Sequence, residues 1–282
     1  MCILFMHVNP RPLAGQFRLI LASNRDEFYK RPSVPAHFWE EDPTVIGGRD
    51  MEPGKEGGSW LALSTRGRLA TLLNVMTLAE HPPELLGRGS LVSGFVKGNQ
   101  FGHPYLSSIA ADSSKYRPFN FLTVQISSQN IDVWGYCNSG KDPKPVPITS
   151  EYFGIGNSLL EKPFVKVNAG VKRLKTIVEQ YGKVEQKKEL TDQLLSLLKC
   201  RKCHFPDTAM EERAPHMSLE GLKPFTSVFV EVLNRGYGTR AHSIILVDSQ
   251  GQVDFSEWSL RQPIDPTNPH WEAKHYTCKL ES

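Results

Sequence analysis

The groups best suited to chemistry lie in the first 27 residues: a cysteine at position 2 and the charged run Asn24-Arg25-Asp26-Glu27. Methionine aminopeptidases remove Met1 when the second side chain is small, as that of Cys2 is, so the mature chain can begin with the cysteine. Its α-amine would titrate at about 7.7 to 8.0, close enough to neutrality to accept the thiol proton. One residue would then supply both the nucleophile and its base, which is an established way of activating a nucleophile.

Two apolar runs predict how this charged cluster reaches the cysteine. Ile3 to Val8 and Phe17 to Ser23 are typical of buried strands, and the loop between them is rich in proline and glycine. A hairpin of these strands returns residues 24–27 to the neighbourhood of Cys2. An arginine there would lower the pKa of the thiol, and an aspartate would hold the N-terminal ammonium or orient the amine. The alternative is an ordinary buried core cysteine and a solvated turn.

Apolar periodicity along the rest of the chain predicts hairpins of strands and two long helices. The predicted strands span residues 59–63, 68–74, 119–126, 130–136, 225–233, 241–247 and 252–258. The predicted helices span residues 167–181 and about 189–200, with one or two short helices in the segment 75–118, which contains His81-Pro82-Pro83. Residues 28–50 and 200–223 are predicted to be loops. Because strands in hairpins with helices in two groups fit two stacked antiparallel sheets with helices outside them, we predict one α+β domain over residues 1–282.

Two asparagines lie at positions where a side-chain amide could form a functional or structural hydrogen bond. Asn74 ends a predicted buried strand, from which its amide donors can point into a cleft and stabilise an oxyanion. The alternative is that Asn74 merely starts the next loop. Asn157 lies in the turn Gly154-Ile155-Gly156-Asn157-Ser158, and from the residues alone Asn157-Ser158 is interpreted as the N-cap of the helix that follows.

The segment Cys200-Arg201-Lys202-Cys203-His204 has the C-x-x-C-H spacing that attaches c-type haem. Covalent attachment needs an export or mitochondrial maturation system, and the chain shows no export signal. Two cysteines and one histidine also fall short of a structural zinc set. We therefore predict no metal site and interpret the segment as a mobile loop open to redox change, with covalent haem as the alternative.

The bulk composition excludes several classes of partner. The 282 residues carry 33 basic and 30 acidic side chains without a block of lysine and arginine interleaved with aromatics, so we expect no nucleic-acid surface. No run of 18 apolar residues predicts a transmembrane segment, and the start of the chain lacks the features of a secretory signal. Five cysteines without a framework spacing indicate a reducing compartment.

Several motifs carry a family resemblance. They are Met1-Cys2-Ile3, Ala22-Ser23-Asn24-Arg25-Asp26-Glu27-Phe28, Gly57-Gly58-Ser59-Trp60-Leu61, Tyr152-Phe153-Gly154-Ile155-Gly156-Asn157-Ser158-Leu159-Leu160, Gly236-Tyr237-Gly238-Thr239-Arg240 and Trp271-Glu272. On these residues the chain resembles the NRDE family, and within it the transport and Golgi organisation protein 2 homologues, along essentially its whole length. That family resembles the N-terminal nucleophile hydrolases and, more distantly, the cysteine amidases that cleave penicillin V and conjugated bile acids. The resemblance implies a four-layer αββα sandwich of two antiparallel sheets.

The resemblance also implies which residues form the site. As in the cysteine amidases, Asn157 would contact the reacting centre, and Arg240 would complete the electropositive surroundings of Cys2. The alternative for Arg240 is an exposed turn residue. The predicted catalytic residues are Cys2, Arg25, Asp26, Asn74, Asn157 and Arg240. The predicted ligand-binding residues are Asn24, Arg25, Asp26, Glu27, Trp60 and Arg240.

Two functions of different class are consistent with these residues. In the first, the resemblance implies roles in haem mobilisation and trafficking, Golgi and secretory organisation and lipid homeostasis, for which the cleft would hold a small amphipathic anionic ligand, haem or acyl-CoA. The second is an amidohydrolase or thioesterase with Cys2 as its nucleophile. Neither function requires a cofactor, and haem would be a non-covalent ligand. We expect a cytoplasmic protein with mitochondrial and Golgi-associated pools that attaches to organelles peripherally.

Overall fold

A computed structural model describes residues 1–77 and 85–281 of the chain. The motif His81-Pro82-Pro83 lies outside these residues. The chain divides into two compact units, the first made of Met1–Lys30 and Ser150–Cys278 and the second of Arg31–Thr149 and Lys279–Ser282. That residues 1–282 form a single domain stays a prediction. No helix in the described part of the chain is long and apolar enough to cross a membrane.

The described residues contain two antiparallel sheets and two groups of helices, as the predicted α+β class requires. The strands are β1 (Ile3–Val8), β2 (Phe17–Phe28), β3 (Ser33–Trp39), β4 (Asp42–Asp50), β5 (Leu61–Ser64), β6 (Arg68–Asn74), β7 (Phe119–Ile126), β8 (Ile131–Cys137), β9 (Val146–Pro147), β10 (Tyr152–Ile155), β11 (Glu231–Val232), β12 (Tyr237–Asp248), β13 (Gln252–Leu260) and β14 (Trp271–Lys279). The helices are α1 (Gly89–Lys97), α2 (Gly102–Ala111), α3 (Val165–Tyr181), α4 (Lys187–Leu198), α5 (Thr208–Glu211) and α6 (Leu219–Leu222).

The first unit is built on a sheet in the order β10-β1-β2-β12-β13-β14, with β11 paired to β12. Helix α3 packs against β1 and β10, and helix α4 packs against β2 and β12. Contact between α3 and β1 is close, because a side chain at Gly170 would overlap the ring of Phe5. The two longest helices were predicted, and they begin and end within two residues of the predicted bounds.

Strands β1 and β2 form the predicted hairpin. Every residue of β1 is buried, and the strand packs against α3. Their register pairs Val8 with Leu19 and Ile3 with Asn24. Strand β2 does not stop at the end of its apolar run, because pairing with β12 continues it through the charged residues to Phe28. The charged cluster is therefore part of the sheet, and the alternative of a solvated turn is wrong.

The second unit is built on a sheet in the order β3-β4-β5-β6-β7-β8-β9, which α1 and α2 cover. Aromatic and aliphatic side chains from the sheet and both helices form its core. The buried core residues are Trp39, Val45, Ala62, Ala70, Leu72, Leu91, Val92, Phe95, Val96, Leu106, Ile109, Phe119, Phe121 and Tyr136. The prediction of one or two short helices between strands 68–74 and 119–126 is confirmed.

Several predicted bounds are wrong. Residues 28–50 are not a loop, since they contain the end of β2 and all of β3 and β4. The prolines that suggested a loop are tolerated, because Pro35 lies where the β3–β4 register shifts and Pro43 lies at the start of β4. Residues 225–233 are not a strand, since only Glu231–Val232 pairs there. Residues 200–223 contain the short helices α5 and α6.

Candidate active site

The amino terminus is held inside the first unit by Asp26. The N-terminal ammonium, here on Met1, lies 3.5 Å from Oδ2 of Asp26 and donates a hydrogen bond to the hydroxyl of Tyr237. Thr239 Oγ1 donates to Oδ1 of the same carboxylate at 2.7 Å. Both Met1 and Asp26 are buried. Asp26 therefore holds the ammonium of a chain that retains Met1. That it holds the amine of Cys2 after removal of Met1 stays a prediction.

The thiol of Cys2 lies against the backbone of β2. The Asp26 amide donates to Sγ at 3.3 Å, and Sγ lies 3.5 Å from the carbonyl oxygen of the same residue. Burial raises the pKa of the Cys2 thiol, the N-terminal ammonium acts in the opposite direction, and Asp26 raises the pKa further. In a chain that retains Met1, burial outweighs the nearby positive charge and the pKa of the thiol is raised. That an arginine lowers the pKa of the thiol in a chain that begins with Cys2 stays a prediction.

The carboxyl of Asp26 experiences opposing effects. Burial raises its pKa, while the N-terminal ammonium, Lys166 and the hydrogen bond from Thr239 act to lower it. Tyr237 also borders the carboxylate, and its hydroxyl lies 3.3 Å from the Asp26 carbonyl oxygen. Burial, followed by the negative charges of Asp26 and Cys2, raises the pKa of Tyr237 well above its ordinary value. Tyr237 is therefore a neutral hydrogen-bonding group at neutral pH.

Strand register places three predicted residues near one another, two of them just beyond strand ends. The pairing of Ile3 with Asn24, continued by one residue, puts Cys2 opposite Arg25. The pairing of Leu4 with Ile155, continued by two residues, puts Asn157 opposite Cys2. Consistent with this, a Cβ atom built on Gly156 would lie 3.8 Å from the Cys2 carbonyl oxygen. Cys2 lies just before β1 and Asn157 two residues after β10, so both lie at the ends of adjacent strands, and Arg25 lies on β2, the other neighbour of β1.

Arg240 lies at a bulge between β12 and β2. The register passes from Thr239 opposite Asp26 to Ala241 opposite Arg25, which leaves Arg240 outside the regular pairing. Its Nη1 donates to the carbonyl oxygen of Phe28 at 2.9 Å, and only 3% of the residue is exposed. The alternative of an exposed turn residue is therefore wrong.

Asn24 and Asn157 differ in role from one another. The Asn24 amide donates to the carbonyls of Leu198 and Val228 at 2.9 and 3.0 Å, and its Oδ1 lies 2.6 Å from Nδ1 of His242. This geometry gives Asn24 a structural role and leaves no amide hydrogen for the ligand contact that we predicted. Asn157 does not cap a helix, since α3 begins at Val165 with Phe164 as its N-cap.

The remaining predicted residues lie further along the chain or at the surface. Glu27 is half-buried, and its Oε1 accepts the amide hydrogen of Phe28 at 2.9 Å. Asn74 is the exposed last residue of β6, and Trp60 lies just before β5 with its ring against Gly48. Asn74 and Trp60 both belong to the second unit. Their role at the site stays a prediction.

The C-x-x-C-H segment forms part of the first unit. Cys200 and Cys203 are free thiols, and the described residues hold no group of three or more side chains positioned to bind a metal ion. The segment is tied to residues 226–229, because the Phe229 amide donates to the Cys200 carbonyl at 2.9 Å and the His204 amide donates to the Thr226 carbonyl at 3.2 Å. Both ends of the segment are therefore hydrogen-bonded to residues 226–229.

Lys166, Tyr237 and Thr239 were not predicted as site residues. Tyr237 and Thr239 lie within a motif that was singled out for Arg240 alone. Lys166 is fully buried on α3, where it interacts electrostatically with Asp26 and Cys2. A signal was present, because Lys166, Gly170 and Leu174 follow one another at helical spacing along the buried face of α3.

Solved structures of two hydrolases are similar to this chain. A Caenorhabditis elegans N-acylethanolamine-hydrolyzing acid amidase ortholog is 11% identical, with a TM-score of 0.42 over 70% of this chain and 86% of that one. A variant of conjugated bile acid hydrolase from Clostridium perfringens is 6% identical, with a TM-score of 0.48 over 98% of both chains. Both TM-scores lie below 0.5, a level at which similarity carries no functional argument.

Comparison of sequences identifies the family of this chain more specifically than comparison of structures does. The Transport and Golgi organisation 2 family profile matches residues 1–262. Transport and Golgi organization protein 2 homologs from Homo sapiens and Mus musculus are 38% and 37% identical, over the full length of both chains. Transport and Golgi organization protein 2 from Drosophila melanogaster is 34% identical over 98% of this chain and 97% of its own. The resemblance inferred from the motifs is confirmed, and the chain belongs to the Transport and Golgi organisation 2 family.

Proposed function

We propose that this protein handles an amphipathic anionic ligand, haem or an acyl-CoA, at the site around its amino terminus. In this proposal the handling serves haem mobilisation, Golgi and secretory organisation and lipid homeostasis, the roles that the family resemblance implies. The observation that carries it is a pair of buried guanidinium groups on neighbouring strands, Arg25 on β2 and Arg240 on β12. Peripheral attachment to Golgi or mitochondrial membranes is part of the same proposal.

Guanidinium groups suit this ligand class. Arginine offers a planar set of donors that matches carboxylate and phosphate oxygens, which are the anionic groups of haem and of acyl-CoA. The adjacent surface supplies apolar contact, since the ring of Phe28 is 54% exposed and packs edge-on against Tyr237 at 5.1 Å. A ligand with one anionic end and one apolar end fits this combination of side chains.

The state of the thiol favours binding over chemistry in a chain that keeps Met1. Burial raises the pKa of Cys2, so the thiolate fraction at neutral pH is small. The N-terminal amine also belongs to Met1 in that chain and not to the cysteine. A carrier needs neither a thiolate nor an amine on Cys2.

A second function is favoured by a separate observation, the ion pair between the N-terminal ammonium and Asp26. If Met1 is removed, the amine belongs to Cys2 and can take the thiol proton. The sulfur would then attack the carbonyl carbon of an amide or thioester, forming a C–S bond and expelling the amine or thiol after it is protonated. Water would hydrolyse the acyl-enzyme and regenerate the thiol. In this function the predicted oxyanion donors are Asn74 and Asn157.

Intact mass of the protein isolated from cells is the first measurement, because a retained Met1 abolishes the hydrolase. Haem and acyl-CoA are then titrated into wild type and into the variants Cys2→Ala and Arg25→Ala. We expect saturable binding that survives Cys2→Ala and weakens in Arg25→Ala by about 1.5 to 3 kcal/mol, the usual scale for a hydrogen bond to a charged group. Arg261→Ala, which changes an exposed arginine on the same unit, is the matched control.

The opposite outcome identifies the hydrolase. Absence of saturable binding, together with turnover of an acyl amide or thioester that Cys2→Ala abolishes, would replace the carrier proposal. Loss of a nucleophile typically lowers turnover by several orders of magnitude, so the two results are easily told apart. In that case Cys2 should also alkylate faster than Cys137, Cys200, Cys203 or Cys278 near neutral pH, which peptide mapping measures.

A further inference from the structure

The exposed large apolar side chains of the first unit are unevenly distributed. Among the described residues this unit exposes six of them, namely Leu13, Phe28, Val165, Phe205, Leu219 and Leu233. Leu13 lies in the loop between β1 and β2, whereas the other five lie toward the opposite end of the sheet, where the chain begins. Single exposed apolar residues are ordinary, but a group of them at one end of a domain marks an interaction surface.

Phe28 and Leu233 lie on two tips of the chain that backbone hydrogen bonds join. Phe28 ends β2, and Leu233 lies in the turn before β12. The Gly236 amide donates to the Leu233 carbonyl at 2.9 Å, and the Tyr29 amide donates to the Gly236 carbonyl at 2.7 Å. The two apolar side chains are 54% and 51% exposed although they lie on hydrogen-bonded backbone. They are therefore held outward by ordered structure.

The other three side chains surround the start of α3. Val165 begins this helix, and its amide donates to Oδ2 of Asp207, two residues after Phe205, at 2.8 Å. Leu219 begins α6, which packs on the 3-10 helix Lys223–Thr226. A backbone hydrogen bond of 3.2 Å ties the last residue of this 3-10 helix to the residue before Phe205. Contacts within the first unit thus connect all three.

The two groups meet at Tyr237, whose hydroxyl accepts a hydrogen bond from the N-terminal ammonium. Its ring centroid lies 5.1 Å from that of Phe28 and 6.0 Å from that of Phe225, which belongs to the 3-10 helix. The five exposed side chains therefore border the candidate active site, and we call them the apolar rim. The apolar rim consists of Phe28, Val165, Phe205, Leu219 and Leu233.

Unpaired positive charge exceeds unpaired negative charge beside the apolar rim. The exposed cations there that form no ion pair with a described residue are Lys30, Lys202, Lys223 and Arg235. The exposed carboxylates there that form no such pair are Glu161 and Glu220. Cations beside apolar side chains complement the anionic headgroups and the apolar interior of a membrane.

A bilayer fits this arrangement better than a protein partner does. The members of the apolar rim lie on separate segments of the chain, and cations follow Phe28 and Leu233 by two residues each. A protein interface needs a closely packed apolar centre from which charged residues are depleted. A membrane interface accepts separate apolar side chains and binds the neighbouring cations at its headgroups.

We propose that the apolar rim docks on an anionic membrane, with its apolar side chains in the bilayer interface and the neighbouring cations on the headgroups. This inference rests on the proposed function and identifies the surface that would serve it. A ligand with one apolar end would then pass between the bilayer and the candidate active site without crossing water.

The test is cosedimentation of the full-length chain with lipid vesicles, in the absence of haem and acyl-CoA. One set of vesicles contains phosphatidylcholine alone, and the other contains equal parts of phosphatidylcholine and phosphatidylserine. Wild type should bind the vesicles with phosphatidylserine more strongly, and this preference should shrink as the salt concentration rises.

Two variants separate the apolar contribution from that of charge. Leu233→Ser should weaken binding to the vesicles with phosphatidylserine by about fivefold at low and at high salt, because apolar burial does not depend on charge. Arg235→Gln should weaken it by about fivefold at low salt and by much less at high salt, since salt screens the headgroups. Leu219→Ser repeats the apolar test on a separate segment and covers the case in which Leu233→Ser alters the fold.

Leu13 and Lys183 provide matched controls at the other end of the sheet. Leu13 is 71% exposed, and Lys183 is an exposed lysine without an ion pair to a described residue. Both lie beside the β1–β2 loop, because the Val184 amide donates to the Gly15 carbonyl at 2.9 Å. Leu13→Ser and Lys183→Gln should bind the vesicles as wild type does. Urea unfolding midpoints equal to that of wild type identify variants whose weaker binding does not come from unfolding.

Three results would overturn the proposal. They are wild type that binds neither set of vesicles, equal losses in Leu13→Ser and Leu233→Ser, and a dimer in the absence of vesicles that Leu233→Ser dissociates. The last result would assign the apolar rim to a second copy of the chain. Since no haem or acyl-CoA is present, failure here leaves the ligand titrations untouched, and failure of those titrations leaves the vesicle result standing.

Discussion

The two sheets of this protein bury different kinds of side chain. Among the described residues, the first unit buries ionisable groups on several elements, namely His7, Arg18, Arg25, Asp26, Lys166, Asp207, Arg240, His242 and Glu257. The buried charge of the second unit is Arg68, whose guanidinium donates to the carbonyls of Phe95 and Gln100 at 2.9 and 2.6 Å. The ring of Phe95 lies under the same guanidinium at 4.1 Å.

The two units therefore differ in how burial affects the stability of the fold. A core of aromatic and aliphatic side chains is stabilised by burial alone, and its contribution hardly depends on pH. Buried ionisable groups cost free energy unless they are paired, and they make stability depend on pH. Such groups concentrate at functional sites, so the contrast itself points to the first unit as the place of function. Four predictions test the contrast.

The largest expected effect concerns His242. Burial lowers the pKa of its imidazole to about 3, whereas the unfolded chain binds a proton near 6.5. Between these values only the unfolded state takes up the proton, so the free energy of unfolding falls as the pH drops through this window, by about 5 kcal/mol in total. His242→Gln should flatten the decline between pH 6.5 and 3, measured by urea unfolding. His103→Gln, in the second unit, is the control, and equal slopes in the two variants would contradict the prediction.

The second substitution removes a core ring of the second unit. Phe95 is fully buried and packs against Tyr105 with ring centroids 5.3 Å apart. Phe95→Ala should lower the free energy of unfolding by about 3 to 5 kcal/mol. The loss should be the same at pH 5 and pH 8, since no proton is involved in the packing. A loss that varies strongly with pH would show that the two cores do not differ as described.

The third substitution acts in the alkaline range. The pKa of Lys166 is about 8 in the folded chain and about 10.5 in the unfolded one, so between these values only the unfolded state holds the proton. The free energy of unfolding of wild type should therefore rise relative to Lys166→Met as the pH increases from 8 to 10.5, by about 3 kcal/mol. Below pH 8 this effect should raise the free energy of unfolding of Lys166→Met above that of wild type by a constant amount. A difference in the free energy of unfolding that does not change with pH would contradict the prediction. So would the same pH dependence in Lys172→Met, which changes an exposed lysine on the same helix.

The smallest effect concerns two turn glycines with positive φ. Gly236, at φ +58°, precedes β12 and has no atom within 4 Å of the place a Cβ would occupy. Gly236→Ala should cost only the left-handed backbone, about 1 kcal/mol. Gly67, at φ +72°, lies between β5 and β6 with the Ile126 carbonyl against it, so Gly67→Ala should cost more. Equal unfolding midpoints for the two variants would contradict this difference in packing.

The part of the site that could be predicted depends on one hairpin. Strands β1 and β2 were evident because their side chains are almost all apolar, and the hairpin forces Asp26 to the start of the chain. The ion pair with the amine follows from that geometry. Asn24 was misjudged because a polar residue next to functional ones looks functional, whereas its amide satisfies the carbonyls of Leu198 and Val228 from elements far along the chain.

Other features could not be predicted because a buried segment need not pair with a strand, and a paired strand need not be buried. Val228, Val230 and Val232 are buried as an alternating run, yet most of the segment pairs with no strand. Strand β14 pairs with a neighbour although it is not buried along its length. It lies at the edge of the sheet, where a strand needs few apolar residues, and its sequence shows no apolar run. Lys166 was not singled out because the predicted helix began at residue 167, although its spacing belongs to the buried stripe.

The burial of Met1 places a time limit on the processing of the chain. Tyr237, which hydrogen-bonds to the N-terminal ammonium, follows Met1 by 236 residues. Ribosomes add about 5 to 20 residues per second, so the amino terminus waits roughly 10 to 50 s before its partner strand exists. An aminopeptidase can reach Met1 during that interval, but once the sheet has closed only 8% of the residue is exposed. The order of synthesis and folding therefore decides whether the folded protein carries the amine of Met1 or that of Cys2. Faster translation or scarce aminopeptidase would leave a population of molecules that retain Met1.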